Sequence, residues 1–341
     1  MNRKYVIVTP AHNEADHLPA TVASVLRQTV PPCRWVVVDD GSTDETPALL
    51  AAWVRQHEFL QYHRRLRDGS QSYFASNVYA IMEGVRQVET LDYEFLAVLD
   101  AEITLPPDYY EQILARFEAD PALGVASGIY ENLIAGRLHK VMNDRRSTPK
   151  AIQVFRRSCF EQIGGYIPLK YGAEDTCACL LARLRGWKAW SFPELKVIHR
   201  RPTGLGNAKS ILRASFELGL QEYGLGSHPL FVLTKYLRRA FLEKPYGVRA
   251  AATLAGFLYG SLRAEKRQIS RELVRFARRE QLARVWNFNR IPRTCRWEGS
   301  DLRAPPSEEV EKPAHGPARP LLEFQSPKNR SRDCSASRAP R

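Results

Sequence analysis

Three pairs of acidic residues could do chemistry in this chain: two sit where an apolar run ends and the third at the start of a helix. In Glu94–Pro107 (EFLAVLDAEITLPP) five apolar residues, Phe95 to Leu99, stop abruptly at Asp100 and Glu102, and a double proline follows. Five apolar residues without helical period predict a strand buried on both faces, as in a parallel sheet. Its carboxyl end, where ligands bind in open α/β sheets, then carries both acids. Two carboxylates at that spacing suit a hard divalent cation, Mg²⁺ or Mn²⁺, held against phosphates. Trp35–Asp39 is a second such run and ends in Asp39-Asp40-Gly41-Ser42-Thr43-Asp44. The third pair, Glu174-Asp175, opens a helix that Gly186 stops. Any one pair reads equally well as a turn or a helix cap; together they point to a nucleotide-diphosphate ligand at one sheet edge.

The elements that must position these acids follow from the pattern of the chain. Tyr5–Thr9 predicts a first strand, Leu18–Gln28 a helix, and 35–39 a strand. Ser42 or Thr43 is expected to cap a helix running to about His57. Phe59–His63, 73–88 and 94–99 continue as strand, helix and strand. The resulting β-α-β-α-β-α-β order predicts a doubly wound, mostly parallel, Rossmann-like α/β sheet with helices on both faces. Beyond a helix at 108–118, strands are expected at 123–130, 151–155 and 195–199, with 131–150 polar and irregular. From about 208 to 284 the chain reads as helical, punctuated by glycines that include Gly219 and Gly256. Its segments 229–242 and 246–262 are apolar with basic flanks. They would either cap the sheet or lie on anionic lipid, and the pattern leaves both open. Residues from 298 onward are rich in Pro, Ser, Arg and Glu and read as disordered. The expected division is thus 1–203, a helical extension at 204–297, and a tail at 298–341.

Charge separates the halves. Of a formal net +13, residues 1–200 carry 23 Lys/Arg against 24 Asp/Glu, while residues 201–341 carry 27 against 13. A basic extension on a neutral body suggests an anionic partner surface. Nucleic acid is not expected, because interleaved aromatics and a recognition module are lacking. The six cysteines (33, 159, 177, 179, 295, 334) have no zinc-type spacing. The N-terminus MNRKYVIVTPAHNE turns polar too early for a signal peptide, so reduced thiols and a cytoplasmic setting, peripheral on the inner membrane face, are expected. No segment reaches the ~18 apolar residues of a membrane span.

VTPAHNEADHL (8–18), VVVDDGSTDET (36–46), FLAVLDAEITLPPDYYEQI (95–113) and GAEDTCACLLARLRGW (172–187) resemble the landmarks of the inverting family 2 glycosyltransferases with the GT-A fold, over about residues 4–200. DDGSTD between strand and helix is the most specific of the four. The resemblance implies transfer of a sugar from a nucleotide-diphosphate sugar, UDP- ahead of GDP-, to a hydroxyl of a glycan or lipid-linked acceptor in cell-surface polysaccharide or glycolipid synthesis. It implies that Thr9, Pro10 and Glu14 line the nucleotide pocket, and that Asp39 accepts from the nucleobase while Asp40 supports its loop. Asp100 would lie near ribose and metal, and Glu102 would bind Mg²⁺ or Mn²⁺. His199 would be a third metal ligand or a diphosphate contact, and Arg200 or Arg201 a phosphate clamp. Asp175 would be the general base, with Glu174 positioning it or the acceptor. The family's usual Asp-x-Asp is here Asp100-Ala-Glu102, which keeps the charge and adds a methylene. The family's arginine before the third helix is missing, with Arg64, Arg65 and Arg67 nearby. A non-catalytic nucleotide-sugar or glycan binder that keeps the fold is the alternative.

Overall fold

The computed structural model describes residues 3–141, 144–201, 210–241 and 246–286. All of them fall in one compact unit, Met1–Pro306. The expected tail from 298 and the ends of the expected extension lie outside the described residues.

The first half alternates as its hydrophobic runs require: β1 (Tyr5–Ala11), α1 (Leu18–Leu26), β2 (Arg34–Asp40), α2 (Thr46–Val54), β3 (Leu60–Arg65), α3 (Tyr73–Val88) and β4 (Phe95–Val98). Successive side chains on a strand face opposite ways. Accordingly Tyr5, Ile7, Trp35, Val37, Phe95 and Ala97 pack with α1 and α2, while Val6, Val8, Val36, Val38, Leu96 and Val98 pack on α3. Both faces are covered, which is why these strands read as unbroken apolar runs.

The second half holds β5 (Ile103–Thr104), α4 (Tyr109–Ala119), β6 (Leu123–Ile134), β7 (Arg137–Lys140), β8 (Val154–Arg156), α5 (Arg157–Ile163), α6 (Glu174–Leu184) and β9 (Lys188–His199). The strands form one sheet in the order β3-β2-β1-β4-β8-β6-β9-β5, with β7 paired to β6. β1, β2, β3 and β4 run parallel, as do β6 and β9, whereas β8 runs antiparallel to both β4 and β6. The carboxyl ends of β1, β2, β4 and β9 therefore emerge on one edge, with the acids.

Three local expectations are corrected. Residues 131–150 are not all irregular: β6 and β7 form a hairpin whose two loop residues, Ala135 (φ 48°) and Gly136 (φ 75°), take the left-handed conformation that such a loop requires. Residues 151–155 are not one strand, because Lys150–Ile152 is a 3₁₀ turn and only Val154–Arg156 pairs. Ser42 and Thr43 cap nothing. α2 begins at Thr46, and Ser42 Oγ instead accepts the Asn13 amide at 2.9 Å while Asn13 Oδ1 accepts the Thr43 amide at 2.8 Å. These bonds stitch the turn after β1 to the turn after β2.

The extension comprises α7 (Ile211–Gly224), α8 (Pro229–Ala240), α9 (Val248–Arg263) and α10 (Arg271–Trp286). Gly219 and Gly256 do not punctuate it but sit inside α7 and α9, where the two backbones touch. A Cβ on Gly219 would lie 2.0 Å from the Thr253 carbonyl oxygen, and one on Gly256 would lie 2.0 Å from that of Phe216. Glu222, buried in α7, accepts from Lys235 Nζ (2.6 Å), Ser227 Oγ (2.6 Å) and Tyr236 Oη (3.0 Å). Burial alone would raise its carboxyl, but Lys235 and these bonds hold it below the ordinary value. α10 is tied back to α6 by Arg183, which donates to Glu280 at 3.0 Å. Among the described residues no helix is long and apolar enough to cross a membrane.

Candidate active site

At the end of β1, the register pairs Ala11 with Asp39 of β2. Thr9 lies wholly in the core, where its hydroxyl accepts from Trp35 Nε1 at 2.9 Å, and Pro10 is buried beside it. Neither is part of the polar cluster. Asp39 is also fully buried: Oδ1 accepts the Ser42 amide at 2.7 Å, and Oδ2 accepts Tyr62 Oη at 3.2 Å with Arg64 Nε at 3.6 Å. Asp40 turns toward α3, accepting Ser76 Oγ at 2.6 Å, with Arg65 Nη1 at 3.2 Å and Arg67 Nε at 3.9 Å. Arg64 and Arg65 at the end of β3 and Arg67 just after it thus face the acids of β2.

A second cluster gathers where β4 and β9 end. Arg201 Nη2 donates to Glu14 Oε2 at 2.6 Å, and its Nη1 lies 3.9 Å from Glu102 Oε1. His199 Nε2 lies 3.8 Å from the same oxygen, too far for a hydrogen bond. Its Nδ1 is buried without a hydrogen-bond partner. Burial, then the charge of Glu102, pushes the Glu14 carboxyl up to about 8 against the pull of Arg201. Arg200 turns its side chain away, its Nε donating to Thr104 Oγ1 at 2.8 Å, while its amide donates to the Glu102 carbonyl at 3.0 Å.

The third cluster centres on a residue that no motif marks. Lys150, on the 3₁₀ turn, donates from Nζ to Asp100 Oδ1 (2.7 Å) and Asn77 Oδ1 (3.0 Å), while its amide donates to Asp175 Oδ2 (3.3 Å). Burial works against its ammonium, yet Asp100 and Glu174 outweigh that and hold it above the ordinary lysine value. Asp175 Oδ1 also accepts the Thr176 amide at 2.6 Å. Burial raises the Asp175 carboxyl, opposed by these amides. Glu174 is buried too and is pushed up to about 7, by burial first and by Asp175, with Lys150 opposing. Both open α6 after Gly172 (φ 83°) and Ala173 (φ 72°). Tyr73, the first residue of α3, faces the same charges: desolvation, Glu102 and Asp100 raise its phenol while Lys150 lowers it. Lys150 and Tyr73 escaped sequence reasoning because each is placed by tertiary packing. The one available hint was a basic residue in an otherwise buried stretch.

Among the described residues no group of three or more His, Cys, Asp and Glu is gathered as a ready metal cage. The donor chemistry nevertheless fits one. Carboxylates from Asp100 and Glu102 and the imidazole of His199 stand at the ends of adjoining elements, and oxygen with imidazole nitrogen suits Mn²⁺, and the carboxylates Mg²⁺.

A sequence model of the family described as "Glycosyl transferase family 2" matches residues 6–173. Residues 6–173 are thus a glycosyl transferase family 2 domain. The family 2 domain is similar to poly-beta-1,6-N-acetyl-D-glucosamine synthase of Staphylococcus epidermidis, 26% identical over 117 residues, which are 34% of this chain and 26% of that protein. The chain is also similar to glucomannan 4-beta-mannosyltransferase 7 of Arabidopsis thaliana, 23% identical over 223 residues, 58% of this chain and 39% of that one. The chain thus spans about a quarter to two fifths of the length of these curated relatives. Among solved structures, the mannosyltransferase PcManGT from Pyrobaculum calidifontis, in complex with GDP-Man and Mn²⁺, shares the fold at a TM-score of 0.54 and 17% identity. That likeness covers 77% of this chain and 88% of that one.

Proposed function

We propose that the chain is an inverting glycosyltransferase that moves a sugar from a nucleotide-diphosphate sugar, UDP- ahead of GDP-, to a hydroxyl of a glycan or lipid-linked acceptor in the synthesis of a cell-surface polysaccharide or glycolipid. What carries the reading is the third cluster: an Asp at the start of α6, its pKa raised, joined through Lys150 to an acid at the carboxyl end of β4. Polysaccharide synthesis among the curated relatives and the nucleotide-sugar complex of the structural neighbour support it.

In this reading Asp39 Oδ2, now facing Tyr62 and Arg64, receives the nucleobase N–H, and Asp40 holds the loop through Ser76 and Arg65. Glu14 and Arg201 border the nucleotide, with the guanidinium turned to phosphate. A divalent cation, Mg²⁺ or Mn²⁺, at Asp100, Glu102 and His199 would supply charge neutralisation for the diphosphate. Asp175 takes the proton of the acceptor hydroxyl as its oxygen attacks C1 opposite the leaving diphosphate, which inverts the anomeric centre. Lys150 keeps Asp100 and Asp175 in fixed relation, one through its ammonium and the other through its amide. The basic extension rests on an anionic membrane face, a contact supported by the exposed apolar stripe Leu230, Leu233 and Leu237 along α8 and Phe241 just after it.

Asp175→Asn tests the assignment. It is expected to abolish sugar transfer while nucleotide affinity stays within about twofold, since a base contributes to the chemical step alone. Loss of nucleotide binding instead would take Asp175 out of that role.

A further inference from the structure

A cavity of about 680 Å³ opens where the loop before α3, residues 168–172 and the helical extension meet. That volume is in the ~300–1,000 Å³ range of small-molecule sites. Gln71, Tyr79 and Tyr171 of the family 2 domain line it on one side, and Gln221, Tyr223 and Arg267 of the extension on the other. Gly172 belongs to the same lining, and the next residues are Ala173, Glu174 and Asp175. One short stretch of backbone is therefore both a wall of the cavity and the entry to α6.

The extension holds that wall in place. Gln268 Oε1 accepts the Lys170 amide at 2.8 Å and its Nε2 donates to the Pro168 carbonyl at 2.9 Å. Gln221 Nε2 donates to the Tyr171 carbonyl at 3.2 Å, and the Tyr171 hydroxyl donates to Glu265 at 3.2 Å. Gly172 allows the close approach: a Cβ there would meet both the Phe74 ring and Gln221 Nε2 at 3.0 Å, and its φ of 83° suits glycine. The shape of the segment before the proposed base thus depends on α7 and on residues 265–268.

The lining selects a ligand by its chemistry. Tyr79 and Tyr171 contribute ring faces and Gln71, Gln221 and Gln268 contribute side-chain amides, while the Arg267 guanidinium lies 4.4 Å over the buried Tyr223 ring. A pyranose has one apolar face and a rim of hydroxyls, which is the complement of that set. An acyl chain would meet only Leu169 and Leu225 as larger aliphatic side chains.

We propose that this cavity binds the glycan part of the acceptor, with the helical extension as its outer wall. The proposal rests on the transferase reading and adds to it that the extension, rather than the family 2 domain alone, selects the acceptor. The experiment uses the full chain saturated with whichever of UDP or GDP it binds. Methyl glycosides of glucose, galactose, mannose and N-acetylglucosamine, and their β-linked disaccharides, are titrated and followed by saturation-transfer NMR. Wild type is expected to bind at least one of them. Tyr171→Ala and Arg267→Ala should each weaken it by about tenfold, the scale of one lost stacking or charged contact. Nucleotide affinity should stay within about twofold, and Tyr171→Phe should restore sugar binding by keeping the ring. Equal sugar affinity in the alanine variants would place the acceptor elsewhere. Equal losses of nucleotide and sugar would make the cavity a structural seam. Wild type that binds nucleotide but no sugar would overturn the carbohydrate assignment, whereas failure to bind nucleotide at all would strike the transferase reading itself.

Discussion

Glu174 and Asp175 are neighbours in sequence, and both are raised by burial. Protons therefore come off them as a pair. Glu174 is held at about 7 in the folded chain against an ordinary 4.5. Below the lower value both folded and unfolded chains keep the proton. Between the two the unfolded chain has lost it while the native state still binds it, so stability falls as pH rises through this window. Glu174→Gln is expected to flatten that fall, read as melting temperature between pH 5 and pH 8. An equally steep fall in the variant would mean that Glu174 does not carry it. At this scale the sequence was informative about acids that follow a strand or open a helix: Asp39, Asp100, Glu102 and Asp175 all lie in polar clusters. It was silent about Lys150, since a lysine brought in by a 3₁₀ turn has no spacing to betray it. It also suggested Thr9 as a pocket residue, although a hydroxyl on an apolar strand finds its partner in the core, here Trp35.

The alternation of β1 to β4 with α1 to α3 was legible because β1, β2 and β4 are buried on both faces and each helix on one. The β6–β7 hairpin was hidden by an Ala-Gly loop without the usual Asn-Gly or Asp-Gly signal. Glycines misled in the extension. A glycine in a helix reads locally as a break, but Gly219 and Gly256 are demanded by a neighbour 30 or more residues away in sequence. Gly219→Leu is expected to force α7 and α9 apart and destabilise the extension by about 3 kcal/mol or more, since no rotamer avoids the Thr253 carbonyl. Thermal unfolding would show it as a lowered or split transition. A single transition within about 2 °C of wild type would mean that the helices do not meet there.

At the scale of the molecule, a family 2 domain with acids on one edge adjoins a basic helical extension whose α8 leaves Leu233 and Leu237 about half exposed, at 44% and 50%. Such residues contribute little to folding, so Leu233→Glu with Leu237→Glu is expected to leave the melting temperature nearly unchanged and to remove co-flotation with phosphatidylglycerol vesicles. Wild type that fails to float with those vesicles, or a double variant that floats equally well, would remove lipid from the account. The proposed transfer requires that the acids of the sheet edge hold a nucleotide diphosphate with a divalent cation. Calorimetric titration of the purified chain with UDP and with GDP, each in Mn²⁺ and in EDTA, tests it most directly. Binding of one nucleotide that is strong in Mn²⁺ and lost in EDTA is the predicted result. A folded chain that binds neither nucleotide under either condition would contradict it.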